Sequence, residues 1–266
     1  MKSIWLMYHD IYEGPGPASV RRSATMYHAS KKVFGDHLQA VKDSGLRVVT
    51  VGEFIASGGA PGDTAVLTFD DGWAGAFRVA IPILERMGWR ATFFVTSDFI
   101  GRAAFCQREM IQRAVSAGME IGIHGATHRF LSSCTATEVK SEFARSKGIL
   151  EDIAGSPIEH ASAPGGSTSG LVAECAASAG LQSMATSRPG VNHSKQPHYA
   201  LRRVAIRAST TASDIARYCR FDVTREQFRW QMLQLPRALL GMKRYAQLRR
   251  VLLMDHSPAG FDVFEP

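Results

Sequence analysis

Three pairs of ionisable residues stand where apolar runs end. His9-Asp10 closes the run IWLMY at 4–8, Asp70-Asp71 closes AVLTF at 65–69, and His124 closes EIGI at 120–123, with His128 four residues on. Runs of this length, rich in bulky side chains, read as buried strands, so each pair sits at a strand end. Asp71, His124 and His128 together offer two imidazoles and a carboxylate. That donor set suits a catalytic Zn²⁺ or a similar divalent ion with coordination positions left open. Gly122 and Gly125 flank His124 and favour a strand end plus turn over a regular helix. Two adjacent aspartates have a reason in hydrolysis: one holds the ion and the other takes a proton from water. Adjacent residues at a strand end point in different directions, as that division requires. The bland alternative makes the aspartates a helix N-cap and the histidines surface residues. HxxxH alone would fit that alternative, but its pairing with DDG at another strand end argues for the metal.

The elements that would position these residues alternate regularly. Strand-like LRVVTV, TAVLTF, ATFFV, EIGIH, LQSMATS and ALRRVAIRA are separated by helical patterns such as FGDHLQAVKDSG, AFRVAIPILERMG and TATEVKSEFARSKGILEDIAG. Such alternation predicts parallel β/α units, and that architecture gathers active sites at the C-terminal ends of strands. A fourth strand end, after His160, carries Pro164-Gly165-Gly166. At 266 residues, 45% hydrophobic and 21% charged, the chain fits one large globular domain. It has no apolar run long enough to cross a membrane. The first apolar run is too short for a secretory signal, and Cys106, Cys134, Cys175 and Cys219 show no CxxC pairing. A reducing, cytoplasmic setting is the expectation.

TFDDG at 68–72 and HGATH at 124–128 resemble the first two motifs of the polysaccharide deacetylases, the NodB-like carbohydrate esterases. The likeness extends from the first strand to about residue 209. It implies a distorted (β/α) barrel of about seven strands and removal of acetyl from an N-acetylated sugar. By the same resemblance Asp70 is the general base, while Asp71, His124 and His128 bind one divalent ion, Zn²⁺ by expectation. The family's third motif reads Arg-x-Pro-Tyr, but this chain has Ser162-Ala163-Pro164-Gly165. The arginine that orients the base is therefore absent from its usual place. The backbone N–H of Gly165 or Gly166 can still serve as an oxyanion donor. An amide also needs an acid to protonate the leaving amine. In circularly permuted exopolysaccharide deacetylases the acid's motif opens the chain, and LMYHD at 6–10 resembles it. His9 is the expected acid, with Asp10 as an orienting partner. His256 in the late LLMDHS is the competitor. Trp73 either lines the sugar site or packs in the core. The substrate expected is an N-acetylated polysaccharide or a glycolipid intermediate. A small non-sugar amide, or a glycan-binding protein that has lost catalysis, stands as the alternative.

The net charge is +7, and nine basic residues lie between Arg217 and Arg250, opposed there only by Asp222 and Glu226. An apolar stripe, Phe228 and Met232 among its members, runs through the same stretch. The expected division is a barrel over 1–210 and a C-terminal helical extension over 211–266. The basic stripe at 224–253 suits peripheral contact with an anionic membrane carrying a lipid-linked glycan, or plain packing against the barrel. No aromatic platform or recognition motif points to nucleic acid.

Overall fold

The computed structural model describes residues 2–14, 22–58, 62–166, 168–193 and 195–232. Its strands are β1 (Lys2–Tyr8), β2 (Ile11–Tyr12), β3 (Ala29–Ser30), β4 (Arg47–Val49), β5 (Thr64–Phe69), β6 (Thr92–Val95), β7 (Glu120–Ile123), β8 (His160–Ser162), β9 (Ser183–Ala185), β10 (Val191–His193) and β11 (Val204–Ala205). Parallel pairing runs β1-β5-β6-β7-β8-β9, with β4 alongside β5 and antiparallel β10 alongside β1. The short segment at 201–205 joins the two edges of that path. Leu201 bridges Ala185 at the end of β9, and β11 pairs in parallel with β1 through Leu6–Val204 and Met7–Ala205. Seven parallel strands therefore curl into the distorted barrel that the sequence predicts, with β4, β10 and the β2–β3 ribbon outside it.

Strand periodicity sorts the core into two clusters. Ile4, Leu6 and Tyr8 of β1, with Ala65, Leu67 and Phe69 of β5, face the surrounding helices. Trp5, Val66, Phe94, Ala185 and Leu201 fill the inside, where Trp5 meets Phe54 edge-on at 5.4 Å between ring centroids. Both faces of the sheet are buried, which is why these strands read as continuous apolar runs. Continuing the β5 alternation past Val66 and Thr68 carries Asp70 toward the barrel interior.

The expected strand LRVVTV stops at Val49, because Thr50 instead caps the helix Val51–Ala56. Its hydroxyl accepts from Glu53 N, and the Glu53 carboxylate accepts from Thr50 N. The helix Ala136–Ala154 starts on an equivalent box, Thr135 with Glu138, and ends on Gly155 in the left-handed conformation. Of the expected C-terminal extension, the helix Ala212–Cys219 packs on the helix Lys31–Asp43. There His37 Nε2 donates to the Thr210 carbonyl at 2.9 Å. Residues 224–232 are helical, and the remainder of the extension, with His256 and most of the basic stripe, lies outside the described residues. No helix among the described residues is long and apolar enough to cross a membrane.

Candidate active site

The C-terminal ends of β1, β5, β7 and β8 deliver His9, Asp70-Asp71, His124 and Gly165 to one face of the barrel. Asp71 Oδ1 lies 3.2 Å from His124 Nε2 and 3.2 Å from His128 Nε2. Asp71 and His124 are buried and His128 nearly so, and the three ligand atoms fall within 4.8 Å of one another. Asp71 Oδ1 is buried with no hydrogen-bond partner, an arrangement that is costly unless a cation satisfies it. His124 Nδ1–H donates to the Ser162 carbonyl at 3.1 Å, which fixes the tautomer and leaves the Nε2 lone pair directed at Asp71. The residues therefore fit a divalent ion held by Asp71, His124 and His128.

Backbone strain gathers at the same positions. Asp71 has φ 72° and His128 φ 63°, left-handed values costing on the order of 1 kcal/mol each for a side chain with Cβ. The reversal at Asp71 and Gly72 turns Trp73 inward. Trp73 is wholly buried, stacks on Phe105 at 4.4 Å, and donates its Nε1–H to Asp71 Oδ2 at 2.9 Å. It has no face left for a sugar, which corrects that alternative: it packs in the core and holds the Asp71 carboxylate. Glu142, from the helix Ala136–Ala154, secures the histidine loop by accepting from Ala126 N (2.7 Å), Thr127 N (2.9 Å) and Thr127 Oγ1 (2.6 Å).

The tether for Asp70 comes from Arg203, on the segment that closes the barrel. Its Nη1 donates to Asp70 Oδ1 at 2.7 Å and its Nη2 to Asp70 Oδ2 at 2.8 Å. Ser162 Oγ adds a bond to Oδ2 at 3.0 Å. Arg203 is fully buried, with Nε–H donating to the Thr186 carbonyl and Nη1 also reaching Thr68 Oγ1. Burial works against ionisation of Asp70, but the Arg203 guanidinium, with the His124 and His9 imidazoles, outweighs it and holds the carboxyl below its usual range. Sequence reasoning missed Arg203. The signal available was its place in LRRVAI: two residues on from Leu201, hence on the same inward side of a strand otherwise apolar there.

His9 is half-buried, its ring lies tilted against Tyr27 at 4.9 Å between centroids, and its Nδ1 has no hydrogen-bond partner. Burial lowers its pKa, against the opposing pull of Asp71 and Asp70. Asp10 does not bond His9. It is buried, its pKa is pushed up to about 6 by burial, and Oδ2 lies 3.6 Å from Nδ1 of buried His28. Gly166 N is spent on the Ala163 carbonyl at 2.8 Å. Gly165, at φ 63°, makes no such turn bond, and a Cβ there would collide with the Phe130 ring. His256 lies outside the described residues.

Comparison with known proteins points to one family of relatives. Residues 57–184 match the polysaccharide deacetylase family model. The Bacillus subtilis protein YxkH, whose name assigns it provisionally to the polysaccharide deacetylases, is 28% identical over 217 residues, 80% of this chain and 74% of YxkH. A chitooligosaccharide deacetylase of Sinorhizobium fredii is 32% identical over 143 residues, 50% of this chain and 64% of that protein. The Streptococcus pyogenes deacetylase PplD, solved in complex with acetate, superposes with a TM-score of 0.72 at 21% identity. That match covers 81% of this chain and 96% of PplD, and at such identity it speaks for the fold.

Proposed function

For this chain, which resembles the polysaccharide deacetylases, we propose metal-dependent hydrolysis of N-acetyl groups on an N-acetylated glycan, with Zn²⁺ as the ion. The observation that carries the reading is a clamped aspartate beside an unsatisfied one. Asp70 is gripped by Arg203, while the adjacent Asp71 presents an orphaned oxygen to two imidazoles. A divalent ion held there supplies Lewis acidity, lowering the pKa of water toward 7 and polarising the amide carbonyl.

The chain's own residues do the rest. Asp70, kept ionised by Arg203, takes the proton from the attacking water. Arg203 and Ser162 hold that carboxylate in one orientation, so little reorganisation is left for the reaction. The Gly165 N–H is the donor for the oxyanion that develops on the acetyl oxygen. His9 delivers a proton to the sugar nitrogen as the C–N bond breaks, so that acetate and a free amine leave. Arg203 also weakens the alternative of a glycan binder without catalysis, which rested on an arginine missing from the third motif.

A further element of the proposal concerns where the glycan is met. In the helical stretch 224–232, Phe228 is 64% and Met232 50% exposed. Glu226 is fixed by Arg217 (2.7 Å) and Tyr218 (2.9 Å). An anchored helix with outward apolar side chains at the start of a basic stretch supports peripheral attachment to an anionic membrane and access to lipid-linked glycan. Co-sedimentation with anionic liposomes, lost on changing Arg244, Arg249 and Arg250 to Glu, is the expected result. The catalytic proposal is tested by acetate release from N-acetylated oligosaccharides. Release should stop after chelation and return with Zn²⁺; release that survives thorough metal removal would overturn it.

A further inference from the structure

Around the rim, loops that carry arginines lie between the strand ends that carry the reacting groups: the loop after β6 stands between β5 and β7, and those after β9 and β11 stand between β8 and β1. Arg102 follows β6, Arg188 follows β9 and Arg207 follows β11. Register fixes the level of Arg207: Ile206 N donates to the Met7 carbonyl at 2.9 Å, so Arg207 comes abreast of His9 at the end of β1. Each guanidinium lies on an aromatic ring, Arg102 over Phe99 at 5.4 Å, Arg188 over Trp230 at 5.3 Å and Arg207 over Tyr27 at 6.0 Å. Two of those rings touch the site itself. Tyr27 packs tilted against His9, and Phe99 lies 5.8 Å from the His128 ring.

None of the three arginines has a carboxylate partner among the described residues, although most acids of the same face do have partners. Asp98 pairs with Arg145, Glu138 with Arg129, and Glu142 is consumed by the Ala126 and Thr127 backbone. Asp10, Asp70 and Asp71 are buried. An arginine placed over an aromatic ring still has N–H groups to offer a planar or tetrahedral anion. Three such arginines on the same rim leave a surplus of positive charge that a neutral chitin-like chain would not use.

We infer that the substrate is an anionic glycan, with carboxylate or phosphate groups on the units flanking the N-acetylated sugar. This rests on the deacetylase reading for the identity of the central sugar, but the charge preference is a property of binding and can be measured without turnover. Full-length wild-type protein, metal-free, is titrated calorimetrically with N-acetylchitotetraose, with a tetrasaccharide alternating glucuronate and N-acetylglucosamine, and with a phosphodiester-linked N-acetylglucosamine oligomer. At low salt at least one anionic ligand should bind about tenfold tighter than the neutral one, and which one does so separates carboxylate from phosphate. In R102Q/R207Q, and separately in wild type at about 0.5 M NaCl, that advantage should shrink to about twofold or less. The salt series and the single variant R188Q keep the test sharp should the double variant fold poorly. Equal or tighter binding of the neutral ligand, or a preference unmoved by salt and by the substitutions, overturns the inference. Anionic preference without acetate release from any of the three by the Zn²⁺-loaded protein would instead sink the deacetylase reading and leave the charge inference standing.

Discussion

The barrel has a carboxylate–histidine cluster at each end, and the two behave oppositely. On the floor, at the N-terminal ends of the strands, Glu120 accepts from Gly52 N and Thr92 Oγ1, and His160 Nδ1 meets Ser183 Oγ at 2.9 Å. Burial pushes Glu120 up to about 7 and His160 down to about 4, so both groups drift toward neutrality. At the rim, burial is at least as complete, yet Asp70 and Asp71 are both held below the usual carboxylate range. The difference is a cation. Arg203 grips Asp70, and the imidazoles of His128 and His124 draw Asp71 down, whereas no guanidinium or ammonium reaches Glu120 among the described residues. The floor is also satisfied, while Asp71 Oδ1, His9 Nδ1 and both ring nitrogens of His28 are orphaned at the rim. A buried charge with an unfilled valence belongs to a site, and a buried neutral pair belongs to the scaffold.

Removing the cation should break the contrast most severely. Arg203→Gln leaves Asp70 buried without its partner, and the expected loss is about 3–5 kcal/mol in urea unfolding, together with loss of turnover. Arg203→Lys keeps the charge without the bidentate fork and should fall between the two. A variant as stable and active as wild type would show that the clamp is dispensable.

The acid comes next in size. His9→Ala should slow amide cleavage by about 10²-fold or more and spare an activated ester, whose leaving group needs no proton. If His256→Ala is the dead variant instead, the acid is at the other end of the chain.

Support of the metal site should matter less. Trp73→Phe removes the donor to Asp71 Oδ2 while keeping the stack on Phe105. Metal affinity should fall about 10-fold by titration against a chelator. No change would mean that the indole N–H is only packing.

The smallest effect belongs to the floor. Glu120 titrates at about 7 when folded, against an ordinary 4.5, so its contribution to stability is full below about pH 4.5 and is lost as pH rises through 7. Glu120→Gln removes that loss. The melting temperature of the variant relative to wild type should rise by about 2–4 °C between about pH 5 and pH 8, with acetate release unchanged. The depressed His160 works the other way, its contribution being present above 6.5 and lost as pH falls through 4, but it is common to both proteins. A difference that narrows toward high pH would reverse the assignment.

What the sequence disclosed followed from locality. DDG, HxxxH and the first-strand His9 are each written in a few consecutive residues, and apolar runs place them at strand ends. Arg203 could not be found that way, because its partner Asp70 lies 133 residues earlier and the two meet only once the seventh strand closes the barrel. Trp73 was ambiguous for a local reason: positive φ at Asp71 and Gly72 reverses the chain, so strand alternation no longer tells which way the next side chain points. The strands β2, β3 and β10 are two or three residues long and are made by pairing rather than by any pattern of their own. The cap at Thr50 was legible in Thr-x-x-Glu, but the preceding valines masked it.

The two adjacent aspartates divide the labour: Asp70 as base and Asp71 as ligand. Asp70→Asn and Asp71→Asn should be compared for bound Zn²⁺ by elemental analysis and for acetate release on the same preparations. Asp70→Asn should keep its metal and lose turnover, because the base is gone and the ligands remain. Asp71→Asn should lose both. Equal loss of metal from the two variants, or activity surviving in Asp70→Asn, would contradict the central claim.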